Sequence, residues 1–364
     1  MDKMAPAAGV GGEPDDDETT CVRALELISA FVLPMTLKAI IKLGLLDALI
    51  THGGRALTAD ELAAAAQLPA EAAASVDRML RLLASLDVVK CSTTHTDTGP
   101  AEGEALRRYT PAPVCRWFAG ERSLAPLAMF LLDDDYLSTW HQLPAAVGGG
   151  DGKVAFEKAL GMSMFEYMGT NHRLNTVFNQ AMVQHSMVLI SKLLERDRFQ
   201  GFDGVGVLVD VGGGTGTTLE MITSKYNNIT GVNFDLPHVI AQAPSLPGVK
   251  HIAGNMFESV PNGDAIFLKS MLHLQNDEDC IKILKNCHQA LPHNGKVIAV
   301  EIVLPEIPTA QIPFRMDMIM LNNHQGGKER TELEFARLAM DAGYTGVFRA
   351  TYIFASYWAL EFNK

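Results

Sequence analysis

The stretch LVDVGGGTGTTLEMI, residues 208–222, joins a short apolar run to a helical pattern through a loop that contains four glycines. Glycine lets the backbone turn tightly and approach a ligand closely. Continuously apolar runs recur around this stretch, with helical patterns between several of them, at residues 205–212, 229–236, 249–255, 265–272 and 296–304. Continuous rather than alternating apolarity is typical of strands buried on both faces. We therefore expect an α/β fold with a mostly parallel, Rossmann-like sheet, and an antiparallel edge pair within the last apolar run, 347–362.

The glycine loop is predicted to lie at the first crossover of this sheet, where doubly wound folds bind nucleotides. Asp235 ends the next apolar run, 23 residues after Gly212, where its carboxylate could accept hydrogen bonds from the two hydroxyls of a ribose. A dinucleotide site usually has a third glycine at the position that Thr217 occupies here. The G-x-G-x-G form suits a ligand without a pyrophosphate, such as S-adenosylmethionine. A tight turn that binds no ligand is the alternative.

Two of the other apolar runs are associated with a histidine and a glutamate. The run Ala265–Leu272 predicts a buried strand that ends directly before His273. Open α/β sheets bind their ligands at the carboxyl ends of the strands, so His273 is either a surface histidine or a general base. Glu301 lies in the second half of the apolar run VIAVEIVL, and a carboxylate is costly to bury there without a partner. A role in the site is therefore expected for Glu301.

The composition bounds the class of protein. The chain has 364 residues, of which 48% are hydrophobic and 20% charged, enough for two domains and a large core. The formal net charge of −12 argues against binding to nucleic acid or to an anionic membrane. Five cysteines without a C-x-x-C pair fit reduced thiols in the cytoplasm. Residues 1–20 predict a disordered acidic arm, and the apolar run LISAFVLPMTL is too short to span a bilayer.

The front part of the chain, residues 21–122, predicts several helices followed by a hairpin, the order of a winged-helix domain. Thr58 and Glu61 have the spacing of a capping box at a helix start. Such a domain either binds DNA or serves as a helical scaffold for dimerisation. The third helix, with DRMLRLLASLD at 77–87, carries little basic charge, which favours the scaffold.

Two further segments complete the predicted organisation. Residues 123–196 read as a helical linker rich in Met, Leu and Phe, interrupted by GGGDGK at 148–153, and residues 197–364 contain the predicted sheet. Within the linker, three consecutive acids, Asp133, Asp134 and Asp135, cannot all face one point on regular structure. A solvated turn is therefore expected there, and no metal site.

Taken together, the motifs identify a resemblance to a known family. The glycine loop, Asp235, GNMF at 254–257, FLKSMLH at 267–273 and NHQGGKERTELEF at 323–335 closely resemble plant S-adenosylmethionine-dependent O-methyltransferases of the caffeate, flavonoid and stilbene type. The resemblance covers nearly all of the chain after the first twenty residues. It implies a Rossmann-like methyltransferase domain preceded by a winged-helix-like dimerisation domain, a homodimer, a small phenolic substrate and no metal.

The resemblance also implies site residues at matching positions. His273 would be the general base, flanked and oriented by Glu301 and Glu329. S-adenosylmethionine would be held by Gly212, Asp235, Asn255, Met256, Lys269 and Ser186. Met182 and Met320 would clamp the acceptor ring, and the rest of the acceptor pocket would be lined by Phe130, Leu131, Met164, Met168, Leu174, Phe178, His185, Ile319 and His324.

The sequence departs from the family pattern at several of these positions. Leu274 stands where the family usually has an acid after the histidine, Ser270 where it has Trp, and Asn255 where it often has Asp. The acceptor positions that are polar or aromatic in lignin-type members hold Leu131, Met168, Leu174 and His324. This more apolar pocket favours a stilbene or a flavonoid over a caffeate-type phenylpropanoid.

Simpler interpretations of the same residues stay open. His185 lies on an apolar helix, and a histidine in such a place is as readily a core residue as a ligand contact. The Met-rich stripe could be ordinary core packing, because Met fills irregular gaps. For the whole chain, the alternatives are a nicotinamide-dependent reductase and a methyltransferase-fold or winged-helix protein without activity.

Overall fold

The computed structural model describes residues 16–94, 106–120, 122–195 and 199–364. The chain divides into two units, residues 1–120 and 121–364, so the second unit contains both the predicted linker and the predicted sheet domain. Helix α1 begins at Asp16, so the last five residues of the predicted arm are helical. Acidic side chains in the first turn favour a helix start there, because they interact well with the helix dipole. Residues 1–15 lie outside the described part.

Over residues 16–94 and 106–120, the first unit contains five α-helices and two strands that pair as a hairpin. The helices are α1 (Asp16–Ile28), α2 (Val32–Lys42), α3 (Leu45–Thr51), α4 (Ala59–Ala65) and α5 (Ala73–Ala84), and the hairpin strands are β1 (Val89–Thr94) and β2 (Leu106–Pro111). Thr58 and Glu61 form the predicted capping box at the start of α4. Tyr109 of β2 is fully buried among the helices and donates a hydrogen bond to Asp77 Oδ1 at 2.6 Å. The helical, winged-helix-like order predicted from the sequence is thus observed.

The length and apolarity expected of a membrane span are not met by any single helix in the described ranges. Only α1 and α2 taken together, bent by 45° at their junction, satisfy both criteria.

The second unit wraps helices around an eight-stranded sheet. Its helices are α6 (Ala125–Leu131), α7 (Asp134–Thr139), α8 (Leu143–Gly148), α9 (Ala155–Leu160), α10 (Met164–Thr170), α11 (His172–Leu194), α12 (Thr217–Lys225), α13 (Pro237–Ile240), α14 (Asp277–Ala290), α15 (Gln311–Asn323) and α16 (Glu332–Asp341). Its strands are β3 (Val207–Val211), β4 (Thr230–Asp235), β5 (Val249–Ala253), β6 (Ala265–Lys269), β7 (Lys296–Leu304), β8 (Arg330–Thr331), β9 (Phe348–Phe354) and β10 (Tyr357–Asn363).

The sheet has the strand order β5-β4-β3-β6-β7-β10-β9, with β8 paired to β7 outside this path. Strands β3 to β7 are parallel to one another, which confirms the predicted mostly parallel α/β class. The order in which successive strands are added across the sheet reverses between β3 and β6. Ligands of such sheets bind in the crevice at that point. Helices α14 and α16 cover one face, and α11 and α12 cover the other.

The predicted antiparallel pair is observed at one end of the sheet. Strand β10 is antiparallel to both β7 and β9, so β9 is the outer strand of the pair and β10 joins it to the parallel strands. Buried side chains along β10, Ala359 to Phe362, agree with an interior position.

The strand predicted as Ala265–Leu272 also ends early, at Lys269. Ser270 has φ of +54°, in the left-handed region, and this turns the chain out of the sheet. The next two N–H groups, of Met271 and Leu272, donate to the Glu301 carboxylate instead of continuing the ladder. His273 therefore lies in a 3₁₀ turn, Leu272–Leu274, beyond the strand.

The prediction of a solvated turn at Asp133 is wrong. The Asp133 side chain accepts the N–H of Asp135 and caps α7, and it bonds the guanidinium of Arg173 through both oxygens at 2.5 and 3.0 Å. Asp133 is only 9% exposed, because a helix cap and an arginine together satisfy its carboxylate.

Candidate active site

His273 contacts a buried carboxylate at the carboxyl edge of the sheet. Its Nδ1 lies 2.9 Å from Glu329 Oε1. Glu329 is almost fully buried, whereas the His273 side chain keeps 13% of its surface exposed. The chain reaches Glu329 through a glycine turn, and a Cβ on Gly327 would lie 3.0 Å from the His273 carbonyl oxygen. The close approach of the two loops therefore depends on the missing side chain at Gly327.

Glu301 holds the backbone of the histidine turn. Its Oε1 accepts the N–H groups of Met271 at 2.9 Å and Leu272 at 2.8 Å. Its Oε2 is buried and has no hydrogen-bond partner. Since both observed bonds go to backbone groups, Glu301 holds the turn by hydrogen bonds and acts on the imidazole ring only through its charge.

The charges around His273 shift its pKa. Burial lowers the pKa of His273, but the negative charges of Glu329 and Glu301 outweigh burial, so the pKa lies above its ordinary value of 6.5. Burial raises the pKa of the Glu301 carboxyl, the charge of His273 opposes this, and Glu329 adds to it. The charges of the cluster therefore make His273 easier to protonate than a histidine in water.

The same three side chains could hold a metal ion. One ligand atom each from His273, Glu301 and Glu329 lies within 4.8 Å of the other two. An imidazole with two carboxylates is a donor set that divalent transition metals accept. Coordination through Nδ1 would require His273 to give up its bond to Glu329.

The glycine loop after β3 is tied to the acid that ends β4. Asp235 Oδ2 accepts the N–H of Gly214 at 2.8 Å, and Oδ1 accepts the N–H of Leu236 at 2.7 Å. Gly212 and Gly214 have φ of +73° and +60°, which glycine adopts without strain. The predicted loop and acid thus form one connected unit.

Two polar atoms without partners lie under this loop. A Cβ on Gly213 would lie 2.2 Å from Asn233 Oδ1 and 2.7 Å from Asp210 Oδ2. Both oxygens are buried and accept no hydrogen bond. Burial raises the pKa of Asp210 to about 7, the charge of Lys269 opposes this, and Asp235 adds to it. Buried acceptors in this state favour a ligand that brings N–H or O–H donors, so the loop fits the polar end of an amino-acid-bearing cofactor.

The remaining predicted cofactor residues differ in the hydrogen bonds that they already make. Asn255 Oδ1 already accepts the N–H of Phe257 at 3.0 Å, and Ser186 Oγ donates to the Met182 carbonyl within its own helix. Met256 is half-buried.

Lys269 ends β6 and is half-buried. Burial lowers its pKa, whereas Asp210 and Glu301 raise it. The charges of these two carboxylates therefore stabilise the protonated form of Lys269.

Most of the predicted acceptor residues pack together. One hydrophobic cluster, formed by helices α6, α10 and α11 with their neighbours, includes Phe130, Leu131, Met164, Met168, Leu174, Phe178 and Met182. Their exposure divides them. Leu174, Met168 and Phe130 are at most 3% exposed and serve as core, whereas Leu131, Phe178 and Met182 keep accessible surface.

Two neutral histidines lie near His273. Burial lowers the pKa of His185 to about 3, and the charges of Lys269 and His273 add to this. Burial and the charge of His273 lower the pKa of His324 to about 4. Both side chains keep some exposed surface despite their depth, as expected for groups that line a cleft.

The two predicted acceptor residues on α15 have different surroundings. Met320 is 8% exposed and points into the protein. Ile319 lines a cavity of about 780 Å³ together with Trp140, Phe314 and Met318. None of the other predicted site residues lines this cavity.

Sequence reasoning missed four side chains in or beside the site. They are Asp210, Asn233, Arg330 and Tyr357, whose ring lies 5.2 Å from the His185 ring. Asp210 could have been found, because it is a lone acid within the apolar run LVDV, as Glu301 is in its own run. The burial of Arg330 could not have been predicted, since the polar sequence KERT is typical of a surface loop.

The fold and the crevice define a class I methyltransferase: a mostly parallel sheet with one antiparallel strand next to β7, and a glycine loop tied to an acid at the switch point. Two family models match the chain, an O-methyltransferase domain at residues 140–345 and an O-methyltransferase dimerisation domain at residues 25–121. The chain belongs to the family of S-adenosylmethionine-dependent O-methyltransferases, which confirms the resemblance inferred from its motifs.

Three of the proteins that are similar to the chain are from rice, Oryza sativa subsp. japonica. Caffeate O-methyltransferase-like protein 2 is 83% identical, covering 99% of this chain and 100% of the relative. A probable inactive methyltransferase is 66% identical, covering 99% and 98%. Naringenin 7-O-methyltransferase is 55% identical, covering 94% of each.

Solved structures share the fold. The methyltransferase CalO1 of calicheamicin biosynthesis, with S-adenosylhomocysteine bound, has a TM-score of 0.78 at 24% identity, over 96% of this chain and 99% of that one.

Proposed function

We propose that the protein transfers a methyl group from S-adenosylmethionine to a phenolic hydroxyl group of a plant aromatic metabolite. The observation that carries the proposal is the 2.9 Å contact between His273 Nδ1 and Glu329, in a turn beside the glycine-loop crevice. A catalytically inactive member of the family would have no need to keep a buried carboxylate on the imidazole, since burying that charge is costly.

The histidine would act as general base. A carboxylate can only accept, so Glu329 fixes the proton on Nδ1 and leaves the Nε2 lone pair free. A phenol has a pKa of about 10 and is almost un-ionised at neutral pH. Neutral His273 would take its proton as the oxygen attacks, a contribution of about 10²–10⁴-fold. Glu329 would then stabilise the imidazolium that forms.

The crevice would hold the cofactor, whose sulfonium supplies an electrophilic methyl group. Asp235 would accept from the ribose hydroxyls, and Asp210 and Asn233 would accept from the amino group near Gly213. Met256 and Asn255 would face the adenine, and Lys269 would lie between the crevice and Glu301. Ser186 is proposed near the amino-acid end, although its hydroxyl is already bonded to the Met182 carbonyl.

The acceptor is proposed to be an uncharged flavonoid or stilbene. His185 and His324 are neutral at pH 7, so they offer hydrogen bonds but no positive charge for a carboxylate. The accessible side chains Leu131, Phe178 and Met182 are apolar. The naringenin methyltransferase among the relatives supports a flavonoid, and the caffeate-like relative keeps a phenylpropanoid as the second candidate.

We further propose a cytoplasmic homodimer formed through the first unit. Helix α1 has no buried residue, and Leu25, Leu27 and Ile28 on it are 60%, 62% and 74% exposed. Apolar surface of this kind marks an interaction site. The match to a dimerisation domain over residues 25–121 supports this assignment, and the free cysteines agree with a reducing compartment.

A competitive turnover assay tests the acceptor. With S-adenosylmethionine saturating, naringenin or a hydroxystilbene is expected to exceed caffeate in kcat/KM by about tenfold or more, because a buried carboxylate without a cation is disfavoured. Titration calorimetry with S-adenosylmethionine and with NADPH serves as the control. Binding of NADPH alone would support the reductase, and cofactor binding without turnover of any phenol would support an inactive protein.

Chelation tests whether the His273 cluster needs a metal ion. Because an imidazole alone can remove the phenol proton, dialysis against EDTA is expected to leave kcat unchanged. A loss of activity that zinc or magnesium restores would contradict the metal-free proposal and would assign the cluster of His273, Glu301 and Glu329 to metal binding.

A further inference from the structure

Arg330 is a fully buried arginine that contacts the histidine turn from behind. It lies on the short strand β8, directly after Glu329, and has no exposed surface. Its Nη1 donates to the Leu272 carbonyl at 2.8 Å, and its Nη2 donates to the Gln275 carbonyl at 2.8 Å. These two carbonyls lie on either side of His273 in the chain.

The guanidinium is also fixed by an acid at the start of α14. Asp277 Oδ1 accepts from Arg330 Nε at 3.0 Å and from Nη2 at 2.7 Å. A planar guanidinium can bond a carboxylate and two carbonyls at once, whereas an ammonium cannot reproduce this geometry. The arginine therefore connects the histidine turn to the first turn of the helix that follows it.

The segment Lys328–Arg330 meets the same turn with three consecutive residues. The N–H of Lys328 donates to the His273 carbonyl at 3.0 Å, the Glu329 carboxylate contacts the ring, and Arg330 holds the flanking carbonyls. Leu272 is restrained at both ends, because its N–H donates to Glu301 and its carbonyl accepts from Arg330.

We propose that Arg330 is a positioning residue for the general base. It keeps the imidazole of His273 within hydrogen-bond distance of the Glu329 carboxylate. It reaches the base only through the backbone. The proposal rests on the proposed role of His273 as the base. Misplacement of a reacting group by about 1 Å can cost about 10²-fold in rate, so a loosened turn would lower kcat without removing any group that touches a reactant.

Arg330→Lys tests the proposal, with Arg337→Lys on the exposed surface of α16 as the matched control. In Arg330→Lys, kcat is expected to fall about 10- to 100-fold while the acceptor KM and the cofactor Kd stay within about threefold. The acid limb of the kcat profile is expected to move to lower pH, because the contact that raises the His273 pKa is loosened. Arg337→Lys is expected to match the wild type.

Amide hydrogen exchange without cofactor separates this proposal from the proposed function. Peptides that cover residues 270–276 are expected to exchange about tenfold faster or more in Arg330→Lys, whether or not the protein is an active enzyme. Asp277→Asn, whose side chain is half-exposed, is the second variant if Arg330→Lys fails to fold, and it is expected to change the exchange and the pH profile in the same direction. Lower thermal stability with unchanged exchange in this segment, unchanged kcat and an unchanged pH profile would overturn the positioning role.

Discussion

Replacing His273 by Asn is expected to lower kcat for methyl transfer by about 10²–10⁴-fold. An amide cannot accept the phenol proton, but it can still donate a hydrogen bond to Glu329 and keep the turn folded. The proposed cofactor residues Asp210, Asn233 and Asp235 are unchanged in this variant, so cofactor affinity is expected to stay within about threefold of the wild type. Single-turnover rates with a flavonoid acceptor, together with calorimetry of cofactor binding, measure both quantities.

His293→Asn is the matched control for this experiment. His293 is an exposed histidine in the same unit, on the loop between α14 and β7, so its replacement is expected to leave both measurements unchanged. Wild-type turnover in the His273 variant would remove this residue from the proton transfer. The base would then have to be sought among His185 and His324, which are the other imidazoles near the site.

The architecture of the second unit could be predicted because its signals are local. Strands β3, β6 and β7 are largely continuous apolar runs, and the helices between several of the strands β3 to β7 favour a parallel arrangement. The glycine loop and Asp235 were identified from spacing alone, and the structure joins them through the Gly214 N–H. Such features depend on residues within one strand, one turn and one helix.

The geometry around His273 could not be predicted because it depends on distant parts of the chain. The apolar run continues through Met271 and Leu272, so the sequence favours a longer strand than the one that forms. The strand stops because a carboxylate from β7 captures two of its N–H groups. Nothing near Arg330 in the sequence indicates that its partners lie at Leu272 and Gln275.

The acceptor region shows a third limit. The family resemblance selects apolar residues on α6, α10 and α11, and the structure packs them into one cluster. Sequence cannot tell which of them keep surface for a ligand, because that depends on how neighbouring helices cover them. Leu174 is fully buried whereas Phe178, one turn further along α11, is partly exposed. The Met-rich pattern is therefore partly core, as the simpler interpretation held.

Replacing Glu329 by Gln is expected to lower kcat at its plateau and to move the acid limb of the pH profile to lower pH. The carboxylate raises the pKa of His273, and the base works only when it is neutral. In the wild type, activity therefore rises as pH increases through a value above 6.5. Without the charge of Glu329, burial and Lys269 lower the pKa, so the neutral base persists to lower pH.

The plateau falls because Gln no longer selects one tautomer of His273. Its amide can donate to Nδ1 as well as accept from it, and the donating form places the proton on Nε2, where the acceptor must bind; the equivalent exchange in serine proteases costs about 10⁴-fold. Glu332→Gln, an exposed glutamate in the first turn of α16, is the matched control and is expected to leave both features unchanged. An acid limb that stays in place in Glu329→Gln would show that a group other than His273 titrates there, and the pairing with Glu329 would lose its proposed part in catalysis.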